Sequence, residues 1–235
     1  AGTKATEVIA GGEIVAGGRL AGAYGRRGFV LADQGVAEAS VNTDSQVVVP
    51  ADPEWGEITG MVAYGGNVYL LDEGKNMIWR YPGIEGGLPA GRQGFGAKQE
   101  WLGKGVEMDF SRATDMAIDG SIWVSTETGR VAELVLGAPE GFELVGVSPT
   151  IGEIFRIDTN EEAENVYLLD RSNKRVVVVV KETGEYKSQY IWESRRPGEA
   201  SGPEGMGEVA DIAVDEKGKK LWLLSGSKIM VVELK

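Results

Sequence analysis

Cysteine and histidine are both absent from the 235 residues. Without cysteine there is no disulfide framework, no thiol nucleophile and no thiolate metal ligand. Without histidine the usual general base near neutral pH, the commonest zinc ligand and the Ser-His triad all fall away. Proline is sparse at 8 residues, and no apolar run approaches the roughly 20 residues needed to span a bilayer. The longest, Val176–Val180, has the length of a strand. Positive charge is also in deficit. Against 36 acidic side chains stand 24 basic ones, a net charge of −12 that repels phosphate backbones and anionic lipid head groups alike. Nucleic acid and membrane insertion are therefore not expected for this chain. The same excess of acid keeps a globular domain soluble, and a monomer is expected.

What is abundant is glycine: 35 of 235 residues is about 15%, twice the usual share of ~7%. With 42% hydrophobic residues, this points to tight turns between buried segments and away from disorder. A chain of this length forms one mid-sized domain, spanning 1–235, with a real core. It opens AGTKATE, with neither an initiator methionine nor an apolar leader, and so reads as a mature form or an excised domain. The lack of cysteine is compatible with the extracytoplasmic location expected for this chain.

Five segments repeat one another, beginning at Ala23, Ala63, Ala117, Arg156 and Ala213. Each reads as a short apolar strand, a polar turn, a strong strand, a second turn and a third strand. The middle strands FVLAD, VYLLD, IWVST, VYLLD and LWLLS end at residues 33, 72, 126, 170 and 225. Their β-branched and aromatic content, their brevity and the Gly, Asp, Asn or Ser that follows exclude helices. Fourth strands are expected at 45–50, 98–103, 142–147 and 186–192, while the fifth repeat runs out at Lys235. Residues Thr6–Ile9 of the N-terminal stretch ATEVIAGGEIV are expected to supply that missing strand and close the ring. Units of four strands recurring every 40–50 residues mark a β-propeller. The fold class predicted is all-β: a β-propeller of five four-stranded blades, closed by an N-terminal strand. Its repeat cores lie near 20–50, 58–103, 113–148, 153–193 and 209–235. Six blades are the alternative, with a degenerate one in 82–112 or 193–208.

The repeat core resembles NHL-type and related propeller repeats in TDMAIDGSIWVST (114–126), ADIAVDEKGKKLWLLS (210–225) and ITGMVAYGGNVYLLDEGKNMIWRYP (58–82). The shared shape is Asp-apolar-Ala-apolar-Asp, a turn, then an apolar-aromatic-apolar strand. The resemblance implies a propeller architecture; relatives of this kind include protein-binding, RNA-binding, ligand-binding and catalytic members. Five repeats in place of six, and Tyr24-Gly25 where later repeats carry Asp, depart from the pattern.

In such a propeller the loop entering each inner strand and the loop joining the second and third strands share one face. Long non-repeating insertions at 50–57, 103–112 and 194–208 all enter an inner strand, and so gather there. The binding set expected on that face is Trp55, Asp72, Asp115, Asp170, Arg195, Arg196 and Asp211. Asp33, Asp72 and Asp170 recur with the repeat, and recurrence favours a turn-capping role. Asp119, Asp158 and Asp215 are expected in turns toward the opposite face. Tyr69, Trp123, Tyr167 and Trp222 share one register and are expected to pack between blades. Two functions stay open. One is a non-enzymatic recognition module of a larger protein that binds a protein, peptide or glycan and needs no cofactor. The other is a metal-assisted, calcium-dependent hydrolase of lactonase type with an acidic axial pocket.

Overall fold

A computed structural model describes residues 17–25, 27–39, 45–84, 94–192, 209–226 and 228–235. Its strands form five consecutive antiparallel meanders, the arrangement of a five-bladed β-propeller. The first blade runs β1 (Leu20–Tyr24), β2 (Arg27–Ala32), β3 (Gly35–Ala39) and β4 (Gln46–Pro50). The second runs β5 (Ile58–Tyr64), β6 (Asn67–Asp72), β7 (Met77–Tyr81) and β8 (Gln99–Glu100). The third comprises β9 (Ala113–Ile118), β10 (Ile122–Thr126), β11 (Val131–Val135) and β12 (Ala138–Glu140). The fourth comprises β13 (Arg156–Asp158), β14 (Asn165–Asp170), β15 (Arg175–Val180) and β16 (Tyr186–Ile191). In the fifth, β17 (Val209–Asp215), β18 (Lys220–Ser225) and β19 (Lys228–Glu233) make three described strands. The expected closing strand at Thr6–Ile9 lies outside the described residues. One short 3-10 turn, Glu73–Lys75, is the helical element described, and no described helix is long and apolar enough to cross a membrane.

The chain divides into two compact units, Ala1–Trp101 and Leu102–Lys235. In the first unit, Phe29, Leu31, Val36 and Val49 of the first blade pack on Ile58, Met61, Val68 and Leu70 of the second. In the second unit the two-residue period of a strand is used on both sides. Val166, Leu168, Val177 and Val179 face the third blade with Trp123, whereas Tyr167, Leu169, Val176 and Val178 face the fifth. A strand covered on both faces needs no polar alternation, which is why five valines follow Arg175 without a break in β15. Trp123 is 1% exposed, Tyr167 3% and Tyr69 7%, in keeping with the shared register, while Trp222 is half-buried.

Two outer strands, β4 and β16, lie within the expected 45–50 and 186–192, and two differ. β8 is two residues long within the expected 98–103, and the third blade is completed by Ala138–Glu140 instead of 142–147. Phe142, Leu144 and Val147 are irregular chain packed on the core between the third and fourth blades. The segment pairs only at Val145, by a parallel bridge to Glu185, so its apolar alternation reports packing more than strand formation.

Candidate functional site

Inner strands set the site, and those of the second unit lie side by side, β9 against β13 and β13 against β17. Register with the middle strands places Asp115 opposite Ser125, Arg156 opposite Leu169 and Asp211 opposite Leu224. These three charged residues therefore occupy one level, near the end where the chain enters each inner strand. Asp115 reaches the next blade: its Oδ2 accepts the backbone N–H of Ile157 at 3.2 Å. Asp158 repeats the move one blade on, its Oδ2 accepting the N–H of Val214 at 2.6 Å. The inner strands are thus stitched by carboxyl groups as well as by apolar contact. Thr114 adds a hydroxyl bond to the carbonyl of Ile154 at 2.6 Å.

Burial governs the protonation of these groups. Loss of solvation pushes the Asp115 carboxyl up to about 7, against the pull of Arg156 and the Ile157 N–H. Asp158 is pushed up to about 8 by the same cause, and the negative charges of Asp115 and Asp211 add to the shift. Asp211 is raised as well, chiefly by desolvation, while the Ile212 N–H and Arg156 oppose the rise. Its side chain is 54% exposed and its Oδ1 lies 3.7 Å from Arg156 Nε. Asp211 is thus the most solvent-accessible carboxyl of the three and the one set beside the Arg156 cation. Arg156 is held by its bond to the Phe155 carbonyl at 2.9 Å and lies 4.2 Å from the centre of the Phe155 ring. The result is a half-open cluster of three acids, all with raised proton affinity, around the Arg156 guanidinium.

Other sequence-predicted residues are placed elsewhere. Asp72 is fully buried at the end of β6 and accepts from Gly56 N at 2.9 Å, Lys75 N at 3.1 Å and Trp79 Nε1 at 2.7 Å. Gly56 is obligatory there, because a Cβ would stand 2.6 Å from Asp72 Oδ1. Asp170, also fully buried, accepts from Ser172, Asn173 and, at 2.8 Å, Arg175 Nε. Arg175 in turn donates to the carbonyls of Ser148 and Pro149. Both aspartates therefore fasten turns inside the protein, the capping role that their recurrence favoured, and present no free carboxylate. Trp55 is half-buried, its indole N–H bonded to the Tyr81 hydroxyl at 2.8 Å. Arg195 and Arg196 lie outside the described residues.

Asp119 sits in a turn as expected, accepting from Ser121 N at 3.1 Å, and Asp215, the last residue of β17, caps the following turn by accepting from Gly218 N at 2.6 Å. Asp158 does not. It ends β13 and points across to the next blade, which corrects its assignment to a turn. Arg156 was missed by sequence reasoning; the signal was two charged residues within the otherwise apolar run IFRID. Among the described residues no three acidic side chains converge in a way that would hold a metal ion.

No protein-family model matches this chain, and no curated protein sequence is significantly similar to it. Solved structures do resemble it. The glutaminyl cyclase of Myxococcus xanthus is 14% identical, with 94% of this chain and 93% of that chain covered and a TM-score of 0.55. A protein of unknown function from Bacteroides caccae is 12% identical over 91% of this chain and 76% of its own, with a TM-score of 0.58. The computationally designed Ika8 protein is 13% identical over 91% and 57%, with a TM-score of 0.51. What is shared is the fold. At such identities the site chemistry is this chain's own.

Proposed function

We propose that this protein is a non-enzymatic recognition domain that binds a polar, positively charged group, such as a peptide amine or guanidinium, at the Asp115–Arg156–Asp211 cluster. The observation that carries the reading is the half-exposed Asp211 carboxylate, set beside an immobilised arginine and two poorly solvated acids. A cation docking on Asp211 would also ionise Asp115, so binding would gain a second charge without moving the backbone. The NHL-type resemblance of the repeats fits such a role. Its test is capture on an array of peptides that differ only in net charge. Cationic peptides should be retained by the parent protein and lost by Asp211→Arg, whose side chain is exposed and whose melting temperature should hold. Equal retention by Asp211→Arg would place recognition elsewhere.

A second reading has one observation in its favour. Carboxyls held near neutral are suited to general-acid chemistry, and the Myxococcus xanthus protein that shares this fold is a glutaminyl cyclase. Ammonia release from an N-terminal glutaminyl peptide, or hydrolysis of a lactone in the presence of calcium, would establish catalysis over simple binding.

A further inference from the structure

In the first unit, a cavity of about 390 Å³ opens between the outer strand of the first blade and the second blade. Its volume falls in the range of small-ligand pockets. One wall is Val48, Val49 and Pro50 at the end of β4; Tyr81 and Phe95 supply aromatic surface on another. Tyr81 is 5% exposed, and its hydroxyl accepts the Trp55 indole N–H at 2.8 Å with the two rings edge-to-face at 6.2 Å. A hydroxyl that accepts one bond keeps its own hydrogen to donate. Among the described residues the Tyr81 hydroxyl is seen only as an acceptor. Tyr81, held by Trp55, thus lines a cavity of mixed apolar and charged character and has a hydroxyl hydrogen available to donate.

The mouth has a charge of its own. Lys98 bonds Asp52 at 2.8 Å and Glu54 at 2.7 Å and lies 4.5 Å from the centre of the Trp79 ring. Two carboxylates share one ammonium, so this rim keeps a net negative charge, and the Glu54 side chain is 77% exposed. An occupant that complements all of these features is apolar at its tip, carries an acceptor beside it and is basic at its flank.

We propose that this cavity binds a peptide segment in which a basic residue precedes an aromatic side chain. The aromatic ring enters between the β4 wall and Phe95, the adjacent backbone carbonyl accepts from the Tyr81 hydroxyl, and the basic side chain meets Glu54. None of the residues of the Asp115–Arg156–Asp211 cluster takes part, so either site can fail without the other.

The experiment follows the indole N–H resonances of the six tryptophans of the intact chain by ¹⁵N NMR, with Trp55 and Trp79 assigned by substitution with Phe. The probes are Ac-Gly-Gly-Arg-Phe-Gly-Gly-NH2 and two controls, one with Glu for Arg and one with Ala for Phe. The Arg-Phe peptide should shift Trp55 and Trp79 with half-saturation below about 1 mM, and each control should bind about tenfold more weakly. Ala97→Trp, an exposed lining position, should block the cavity and abolish the shift without altering the remaining resonances. Glu54→Arg should remove the preference for Arg over Glu. The proposal is overturned if neither indole moves, if all three peptides bind alike, if Ala97→Trp binds as the parent does, or if only the other four indoles respond.

Discussion

Raising the pH from 5 to 8 should destabilise this protein, and Asp115 and Asp158 should account for most of the loss. An aspartate in an unfolded chain titrates near 3.9. In the folded protein, desolvation holds Asp115 up at about 7 and Asp158 at about 8. Between those limits the folded state binds protons that the unfolded state has released, so stability falls as pH rises. The contribution is whole below about pH 4 and lost as pH passes through the folded values. Each retained proton corresponds to a slope of about 1.4 kcal/mol per pH unit, and the two together to a ceiling of about 2.7. Water reaching these half-buried residues lowers the slope in practice. Urea unfolding at pH 5, 6, 7 and 8.5 measures it directly. Asp115→Asn and Asp158→Asn keep an oxygen that can accept from the Ile157 and Val214 N–H groups, so each should flatten the slope by about half. A parent stability that is level or rising from pH 5.5 to 7.5 would refute the reasoning, as would a double variant with the parent's slope.

Three further outcomes follow from the packing. Trp123→Ala should cost about 3–5 kcal/mol in chemical denaturation, because its ring is 1% exposed and its indole N–H bonds Asp119 at 2.9 Å; the half-buried Trp222 should cost distinctly less, and parity between them would contradict the packing described. Asp170→Leu should lose about 3–5 kcal/mol by leaving Arg175 buried without its charge partner, with a second substitution, Arg175→Met, recovering part of it; a single variant that melts like the parent would remove the pair from the stability account. Deleting residues 1–12 should cause aggregation or a large loss of stability through the outer edge of β19, where Ile229 and Val231 are 70% and 55% exposed; a truncated protein that stays monodisperse with an unchanged melting temperature would exclude closure by that segment.

Middle strands were legible because they are apolar on both faces and end at a polar turn. NVYLLD occurs twice, at 67–72 and 165–170, and folds the same way each time, with its last aspartate capping the turn. Outer strands were legible where a side chain packs on the core, as in β4 and β16, which fall at the expected 45–50 and 186–192; the others were not. Ala138–Glu140 is exposed throughout and carries a proline at the sheet edge, which no apolar pattern announces. The neighbouring FELVGV has the pattern but pairs only at Val145, by a parallel bridge to Glu185, while Phe142 and Leu144 pack partly buried on the core. The site was half legible. Asp115 and Asp211 stood out by their place at the loop face, but Arg156 and the reach of Asp158 depend on which inner strand lies next to which. That is a property of blade packing, absent from the local sequence.

Carboxyl ¹³C NMR of aspartate-labelled protein, titrated with a cationic peptide, tests the recognition site most directly. Docking at the cluster predicts that the Asp211 carboxyl shifts on binding and that Asp115 titrates lower than about 7 in the complex, since an added cation favours its ionised form. A peptide bound at saturation with Asp115, Asp158 and Asp211 all unmoved would contradict the account.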